Sequence, residues 1–90
     1  MPLHRTRIIF TGRVQGVGFR ATACHLALSS NLTGWVRNES DGSVLLEVQG
    51  DFHNVEAFLA NLRDAMKGRI KTESSLPTIP IDDDPPFRTT

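Results

Sequence analysis

The sequence has little cysteine, no surplus of either charge and no long apolar run. Its one cysteine, Cys24, has no partner for an internal disulfide, and no group of cysteines and histidines has the spacing of a metal site. Ten Lys and Arg residues balance ten Asp and Glu residues, so the broad basic surface typical of nucleic-acid-binding proteins is not expected. No apolar run approaches the roughly 20 residues that cross a bilayer. We therefore expect no nucleic-acid partner, no membrane partner, no bound metal and no cofactor.

The length of the chain and its first residues indicate a small intracellular protein. Ninety residues are fewer than the roughly 100–200 of a usual domain, so we expect one domain over residues 1–90 and no second one. The stretch MPLHRTRIIF is followed too soon by Gly12 and Arg13 to be a signal peptide. These features predict a cytoplasmic protein, and we expect it to be a monomer.

The first half of the chain has the pattern of a strand, a loop and a helix. Residues 7–11 place two apolar side chains on one face and polar ones on the other, which predicts a strand. Residues 12–18 contain three glycines and end that strand. From residue 19 to about residue 30 the apolar residues recur at helical spacing, and Asn31 tolerates the positive φ that ends many helices.

The second half begins with a predicted hairpin. Residues 33–38 and 43–49 have the alternation of strands, and the Asp41-Gly42 pair between them is typical of a tight turn. The longest helix follows, and we expect it to end at about Lys67. Its apolar residues recur with the period of a helix and are Val55, Phe58, Leu59, Leu62 and Met66.

The C-terminal region carries prolines that restrict its pairing. Residues 70–81 include β-branched residues, but Pro77 and Pro80 cannot donate to a sheet ladder, so we expect an edge strand there. Residues 87–90 are expected to form a short last strand. The order β-α-β-β-α-β predicts an α+β fold of the ferredoxin-like type. In this fold two helices lie on one face of a mainly antiparallel sheet, here of four or five strands.

Residues 12–20 have the composition of an anion site. Gly16 and Gly18 allow the backbone to turn so that successive N–H groups face inward. The first N–H groups of the following helix lack partners, and the helix dipole favours negative charge there. Arg20, near the start of that helix, can bind a phosphate through two parallel hydrogen bonds. One short segment thus offers many of the donors that a phosphate needs.

Other interpretations of this loop compete with phosphate binding. Residues 16–21 match the dinucleotide-binding pattern G-x-G-x-x-A, but the glycines do not follow the strand directly and the chain is too short for a doubly wound sheet. A Walker loop is excluded because no Gly-Lys-Ser/Thr sequence follows. On spacing alone, the interpretation of this segment as a glycine-rich turn beside a surface arginine also stays open.

Two segments of the chain resemble the signatures of the acylphosphatase family. Residues 12–20 read GRVQGVGFR, and residues 34–44 read GWVRNESDGSV. Both segments are long and stand in the order that the family has, and with the second helix the resemblance covers about residues 7–68. The resemblance implies hydrolysis of acyl phosphates to a carboxylate and inorganic phosphate, without a metal ion or a covalent intermediate.

The resemblance also implies roles for particular residues. It places the phosphate in a cradle formed by the backbone of Gln15, Gly16, Val17, Gly18, Phe19 and Arg20. The Arg20 side chain is implied as the main phosphate ligand, and the Asn38 side chain as the group that positions the attacking water. A neutral amide suits that task, because its oxygen accepts from water whereas a carboxylate would repel a dianion. Taken without the resemblance, Asn38 also fits a residue that opens a hairpin turn.

The remaining reactive side chains are interpreted as structural. The three histidines have no acid or nucleophile at a recognisable spacing. Cys24 is interpreted as a small helix residue, and Trp35 as a packed sheet residue. The chain departs from the family pattern at Phe10, where an aliphatic residue is usual, at Asn31, where glycine is common, and in the proline-rich tail. The sequence leaves the pairing of that tail open.

Three functions remain open on the sequence alone. The first is an enzyme that hydrolyses small-molecule acyl phosphates. The second is a non-catalytic module of the same family that binds phosphate or another anion without turnover. The third is a ferredoxin-like interaction domain that phosphate and sulfate do not stabilise. Turnover in excess chelator that depends on both Arg20 and Asn38 separates the first from the other two.

Overall fold

The computed structural model describes residues 2–90, which form a five-stranded sheet and two helices. The sheet order is β4-β1-β3-β2-β5, and all neighbouring strands are antiparallel except β2 and β5, which are parallel. This order confirms the predicted ferredoxin-like α+β fold. In chain order the elements are β1 (His4–Gly12), α1 (Phe19–Ser29), β2 (Thr33–Asn38), β3 (Val44–Gly50), α2 (Phe52–Ala65), β4 (Ile70–Thr78) and β5 (Arg88–Thr89).

The core lies between the sheet and the two helices. Alternate residues of the strands point toward the helices, as the period of two requires, and on β1 these are Ile8 and Phe10, both fully buried. All five apolar residues predicted to face the core from the second helix are buried: four lie on α2, and Met66 directly follows it. The Phe10 ring packs against the Phe19 ring, with 5.0 Å between their centroids. An aromatic residue at position 10 is therefore accommodated by a ring from α1.

The proline-rich tail pairs as an edge strand and a short parallel strand. β4 lies at one edge of the sheet, and its Pro77 is opposite Thr6 of β1. An edge strand has a neighbour on one side only, so it tolerates a proline that has no backbone N–H to donate. β5 pairs with β2 at the other edge through Trp35 opposite Arg88. Both predicted tail strands are present, but they are shorter than predicted: β4 ends at Thr78 and not at residue 81, so Pro80 lies outside it, and β5 has two residues. Phe87, the residue before β5, is buried against the Phe58 ring and fixes the end of the chain to the core.

The predicted helix ends agree with the structure to within about two residues. Asn31 has φ of 55°, the left-handed conformation expected of it after α1. α2 ends at Ala65, before the predicted Lys67. The backbone N–H of Lys67 donates to the Asp64 carbonyl at 3.3 Å, so the last turn is tighter than an α-helix.

The face of the sheet opposite the helices contains a buried ionic cluster, formed by Arg5, Glu47, Gln49 and Asp84. The Arg5 side chain is 1% exposed, and its Nε donates to Glu47 Oε1 at 2.7 Å. Its Nη1 donates to Gln49 at 3.1 Å and to Asp84 at 2.9 Å. The cluster joins β1 and β3 to the segment before β5, so it fixes the tail across this face.

The two carboxylates of the buried ionic cluster make stability depend on pH. Burial raises the pKa of Glu47, but hydrogen bonds from Arg5 and Arg7 outweigh it and the net pKa is lowered. Burial likewise raises the pKa of Asp84, and hydrogen bonds, first from Arg5, lower it below its ordinary value. A lowered pKa in the folded state means that the unfolded chain binds the proton first as the pH falls. The stabilisation is therefore complete above the unfolded pKa values of about 4 and is lost as the pH falls through the folded ones.

We expect the free energy of unfolding to fall steeply below about pH 4.5. Replacing Asp84 by asparagine removes one of the two protons that the buried ionic cluster takes up on unfolding, so the slope decreases by up to about 1.4 kcal/mol per pH unit. Urea denaturation between neutral pH and pH 3 measures this slope. The matched control is Asp82→Asn, an exposed carboxylate outside the cluster, which should keep the wild-type slope. Equal slopes in the Asp84 variant and the wild type would contradict the assignment.

Candidate active site

The loop between β1 and α1 is shaped by one buried residue and two glycines. Val14 is fully buried and anchors the loop in the core. Gly16 and Gly18 have φ of 74° and 79°, values that other residues rarely adopt. A Cβ atom at either glycine would meet nothing within 4 Å. Glycine is therefore favoured there by backbone conformation and not by lack of space.

The start of α1 offers free N–H donors to the loop. Gly18 is the N-cap residue and supplies no side-chain cap. The Thr22 N–H makes a hydrogen bond of 3.0 Å to the Gly18 carbonyl, so the N–H groups of residues 19–21 precede the regular bonding of the helix. The first turn contains no acidic residue. This end of the helix dipole therefore favours a bound anion.

Asn38 is brought to the site by the close approach of β2 to β3. At Gly34, φ is 126°, and a Cβ there would overlap the carbonyl oxygen of Glu47. Glycine thus lets the two strands pair along their whole length, as far as Asn38 opposite Val44. The hairpin turn follows at once and is held by Asp41, whose Oδ1 accepts from the Ser43 N–H at 2.9 Å and the Ser43 hydroxyl at 2.6 Å. These hydrogen bonds lower the pKa of Asp41.

One cavity of about 170 Å³ joins the loop, the start of α1 and the end of β2. Its volume is several times the roughly 30 Å³ that a water molecule occupies. Within the described chain, Arg20 is the one charged residue of its lining, and no carboxylate lies there. The cavity is lined by Val14, Gly16, Gly18, Phe19, Arg20, Ala21 and Asn38.

The structure brings together most of the residues that the sequence predicts for the site. Arg20 and Asn38, which are 18 residues apart in the chain, line the same cavity, and so do three other predicted loop residues. Gln15 and Val17 do not line it. Val14 and Ala21 do, although the sequence does not single them out. Val14 lies within the glycine-rich segment and Ala21 directly follows Arg20. Their closeness in the sequence to the predicted phosphate loop is the signal that could have identified them.

The Gln15 side chain is engaged outside the cavity. Its Nε2 donates to the backbone carbonyls of Glu39 and Ser43, at 2.8 and 2.9 Å. An amide nitrogen carries two N–H donors, and both are used by these two bonds. Any contact of Gln15 with a phosphate is therefore left to its backbone.

Cys24 and Trp35 agree with their structural interpretations. Cys24 packs against the core from α1, and burial raises the pKa of its thiol. A thiol with a raised pKa is a poor nucleophile at neutral pH. The ring of Trp35 is half-buried, and the guanidinium groups of Arg7 and Arg37 lie 5.8 and 5.0 Å from its centroid. It therefore packs among sheet side chains, away from the lining of the cavity.

A larger groove of about 480 Å³ lies elsewhere, beside the tail. It is lined by Asp82, Asp83 and Asp84 together with Gln49 and other residues. The exposed carboxylates of Asp82 and Asp83 repel a phosphate. The smaller cavity beside Arg20 is therefore the candidate site for an anionic substrate.

Comparison with known proteins assigns the chain to a family. The sequence model named Acylphosphatase matches residues 6–85. The chain belongs to the acylphosphatase family. The acylphosphatase of Geobacillus kaustophilus is 51% identical over 57 residues, which are 63% of this chain and 61% of that relative. Such alignments span about three fifths of the length of the curated acylphosphatases that they match.

Solved structures of acylphosphatases share the whole fold. The crystal structure of the acylphosphatase from Bacillus subtilis superposes with a TM-score of 0.88 and 29% identity, over 99% of both chains. The structure of T. kodakarensis HypF matches 97% of this chain, with a TM-score of 0.83 and 29% identity, but only 12% of the HypF chain. The acylphosphatase fold thus also occurs as a small part of a much longer protein.

Two features of the described chain bear on partners and cofactors. Neither helix within residues 2–90 has the length and apolar character to cross a membrane. Across the same residues, no three side chains among His, Cys, Asp and Glu converge as a metal-ion site. The absence of a cofactor from the reaction stays a prediction.

Proposed function

We propose that this acylphosphatase-family protein hydrolyses acyl phosphates to a carboxylate and inorganic phosphate, without a metal ion. The observation that most supports this is the cavity that the start of α1, Arg20 and Asn38 line together. Membership of the acylphosphatase family points to the same reaction. The single domain over residues 1–90, the cytoplasmic location and the monomeric state expected from the sequence stay predictions.

The phosphoryl group is proposed to sit at the start of α1. Backbone N–H groups of residues 15–20 face its oxygens, with Gly16 and Gly18 in the positive-φ conformation that turns the loop. Arg20 adds a charged, planar fork that matches two phosphate oxygens. Its guanidinium is exposed, and within residues 2–90 no ion pair holds it. It is therefore available to a ligand.

The proposed reaction is attack of water on phosphorus. A P–O bond forms to the water oxygen, and the P–O bond to the carboxyl oxygen breaks. The electron pair of that bond leaves with the carboxylate, and both water protons remain on the phosphate, which then exchanges protons with solvent. A carboxylate is a weakly basic leaving group, so a general acid is not essential. Positioning and stabilisation of charge on the phosphoryl oxygens make up most of the catalysis.

Asn38 is proposed to position the water. Its side chain lines the cavity from the end of β2, across from the start of α1. The amide oxygen accepts a hydrogen bond from water and carries no charge that would repel the phosphate. Within residues 2–90 no protein hydrogen bond occupies the side chain of Asn38. The amide is thus free to bind water.

Replacing Asn38 by alanine should lower kcat/KM for a model acyl phosphate at least about 10-fold, because the water loses its alignment. Inorganic phosphate should still inhibit at nearly the wild-type concentration, since the cradle is intact. The assay measures hydrolysis of benzoyl phosphate in excess chelator. The matched control is Asn61→Ala on the exposed side of α2, which should keep full activity. Wild-type protein that is inactive with chelator, or an Asn38 variant that is fully active, would overturn the proposal.

The alternative is a module that binds phosphate without turnover. The HypF match gives this alternative a specific basis, because the fold there makes up 12% of a longer chain. Titration calorimetry with inorganic phosphate, run beside the hydrolysis assay, separates the two functions. Binding without hydrolysis of any acyl phosphate tested would favour the module, and hydrolysis that requires Asn38 would exclude it.

A further inference from the structure

The side chain of Gln15 connects the phosphate loop to the hairpin that carries Asn38. Its Nε2 donates to the carbonyl oxygens of Glu39 and Ser43, 24 and 28 residues further along the chain. Both acceptors are carbonyl oxygens, so the amide must present its nitrogen to them and not its oxygen. The contact therefore has one chemically allowed orientation.

This side chain connects the ends of two strands that are not neighbours in the sheet. In the order β4-β1-β3-β2-β5, β3 lies between β1, which leads into the loop, and β2, which ends at Asn38. Two strand spacings separate β1 from β2, a distance of about 10 Å. No ladder of hydrogen bonds can join these two strands directly. The Gln15 side chain, which bridges their ends, is therefore a direct polar link between the two halves of the candidate site.

The carbonyls that Gln15 binds belong to a turn that is already ordered. The Ser43 carbonyl accepts from the Glu39 N–H at 2.9 Å, and the Glu39 carbonyl accepts from the Gly42 N–H at 3.1 Å. Each carbonyl oxygen has two lone pairs, and Gln15 uses the second of each. Because the turn is stiff and begins at the residue after Asn38, a displacement at Glu39 moves Asn38 as well.

We infer that Gln15 is a positioning residue, which sets the distance from the Asn38 amide to the phosphate cradle by hydrogen-bonding the hairpin turn. The inference rests on the proposed function. It assigns to Gln15 a side-chain role distinct from its backbone place in the cradle. Val14 and α1 hold the cradle independently of this link, so loss of the link alters water alignment more than phosphate binding.

The test compares wild type with Gln15→Met, which keeps the length of the side chain and removes both donors. We expect kcat for benzoyl phosphate to fall about 10-fold, since a displacement of a catalytic group by about 1 Å costs up to 100-fold. The inhibition constant for inorganic phosphate should change by less than about twofold. Gln15 is exposed, so the variant should fold. Gln15→Asn, which keeps the amide but is too short to reach both carbonyls, provides a second variant with the same expected result.

A double-mutant cycle with Asn38→Ala decides whether Gln15 acts through Asn38. If it does, Gln15→Met lowers kcat in the wild type and has no further effect in the Asn38→Ala background. Effects that multiply, or a loss of phosphate inhibition in proportion to kcat, would overturn the inference. So would full activity of both Gln15 variants beside an impaired Asn38→Ala, a result that leaves the proposed function in place. Absence of wild-type turnover would instead overturn the proposed function and the inference with it.

Discussion

Replacing Arg20 by alanine is expected to lower kcat/KM for benzoyl phosphate by about 100-fold or more, because one preorganised charge-stabilising donor typically contributes that much in such a site. Arg20 is the one charged residue among those that line the 170 Å³ cavity, within the described chain. Its loss leaves no charged donor for the phosphoryl oxygens in the part of the lining that the structure describes. Inorganic phosphate should also bind more weakly, which distinguishes this variant from Asn38→Ala.

The control for Arg20 is the other arginine of the same loop. Arg13 is exposed and does not line the cavity, and its backbone N–H donates to the Arg69 carbonyl at 2.8 Å whatever its side chain. Arg13→Ala should therefore change kcat/KM by only a few-fold, about what a screened surface charge contributes. Arg20→Lys keeps the charge without the planar fork and should be intermediate. Equal losses at Arg13 and Arg20 would falsify a direct contact between Arg20 and the substrate.

Replacing Arg5 by methionine is expected to lower the free energy of unfolding by about 3–5 kcal/mol at neutral pH. The side chain of Arg5 is 1% exposed and lies between Glu47 and Asp84, whose side chains are 9% and 3% exposed. Without the guanidinium, two buried carboxylates lose their shared partner. Each then carries a buried charge that is no longer compensated by Arg5, and this lowers the free energy of unfolding. A domain of this size has a total stability of about 5–15 kcal/mol, so the loss is a large fraction of it.

A matched control lies two residues further along the same strand. Arg7 contacts the other oxygen of Glu47 at 2.5 Å, but its side chain is 44% exposed. Exposed ion pairs contribute about 0–1 kcal/mol, so Arg7→Met should have a small effect. Urea denaturation of the two variants gives the comparison. If the free energy of unfolding falls by the same amount in both variants, the burial of Arg5 does not explain its contribution to stability.

The elements around the candidate site could be predicted because each has a local signal. Apolar alternation fixes the strands, the apolar stripe fixes α2, and Asp41-Gly42 marks the hairpin turn between β2 and β3. The position of Asn31, with φ of 55°, follows from what that residue type tolerates. Arg20 at the start of α1 and Asn38 at the end of β2 follow from these boundaries. The proximity of the two then follows from the predicted fold, because a ferredoxin-like sheet brings both segments to one end.

The buried ionic cluster has no comparable signal in the sequence. Arg5 lies before the strand predicted from residues 7–11, and a charged residue near a strand end is usually exposed. β1 in fact begins at His4, and Arg5 is buried because the segment before β5 covers that face of the sheet. Its partner Asp84 is 79 residues away in the chain. No local pattern reports a contact between residues so far apart.

The amino-acid sequence by itself determined the order of the elements, the glycine-rich loop and the residue types that face a phosphate, since these depend on spacing over a few residues. The tertiary structure alone decided how the tail pairs, that Arg5 is buried and that the Gln15 side chain contacts the hairpin turn in place of the cavity. The physical reason is the strand order, which inserts β3 between β1 and β2 and so makes every link across the site a contact between distant parts of the chain.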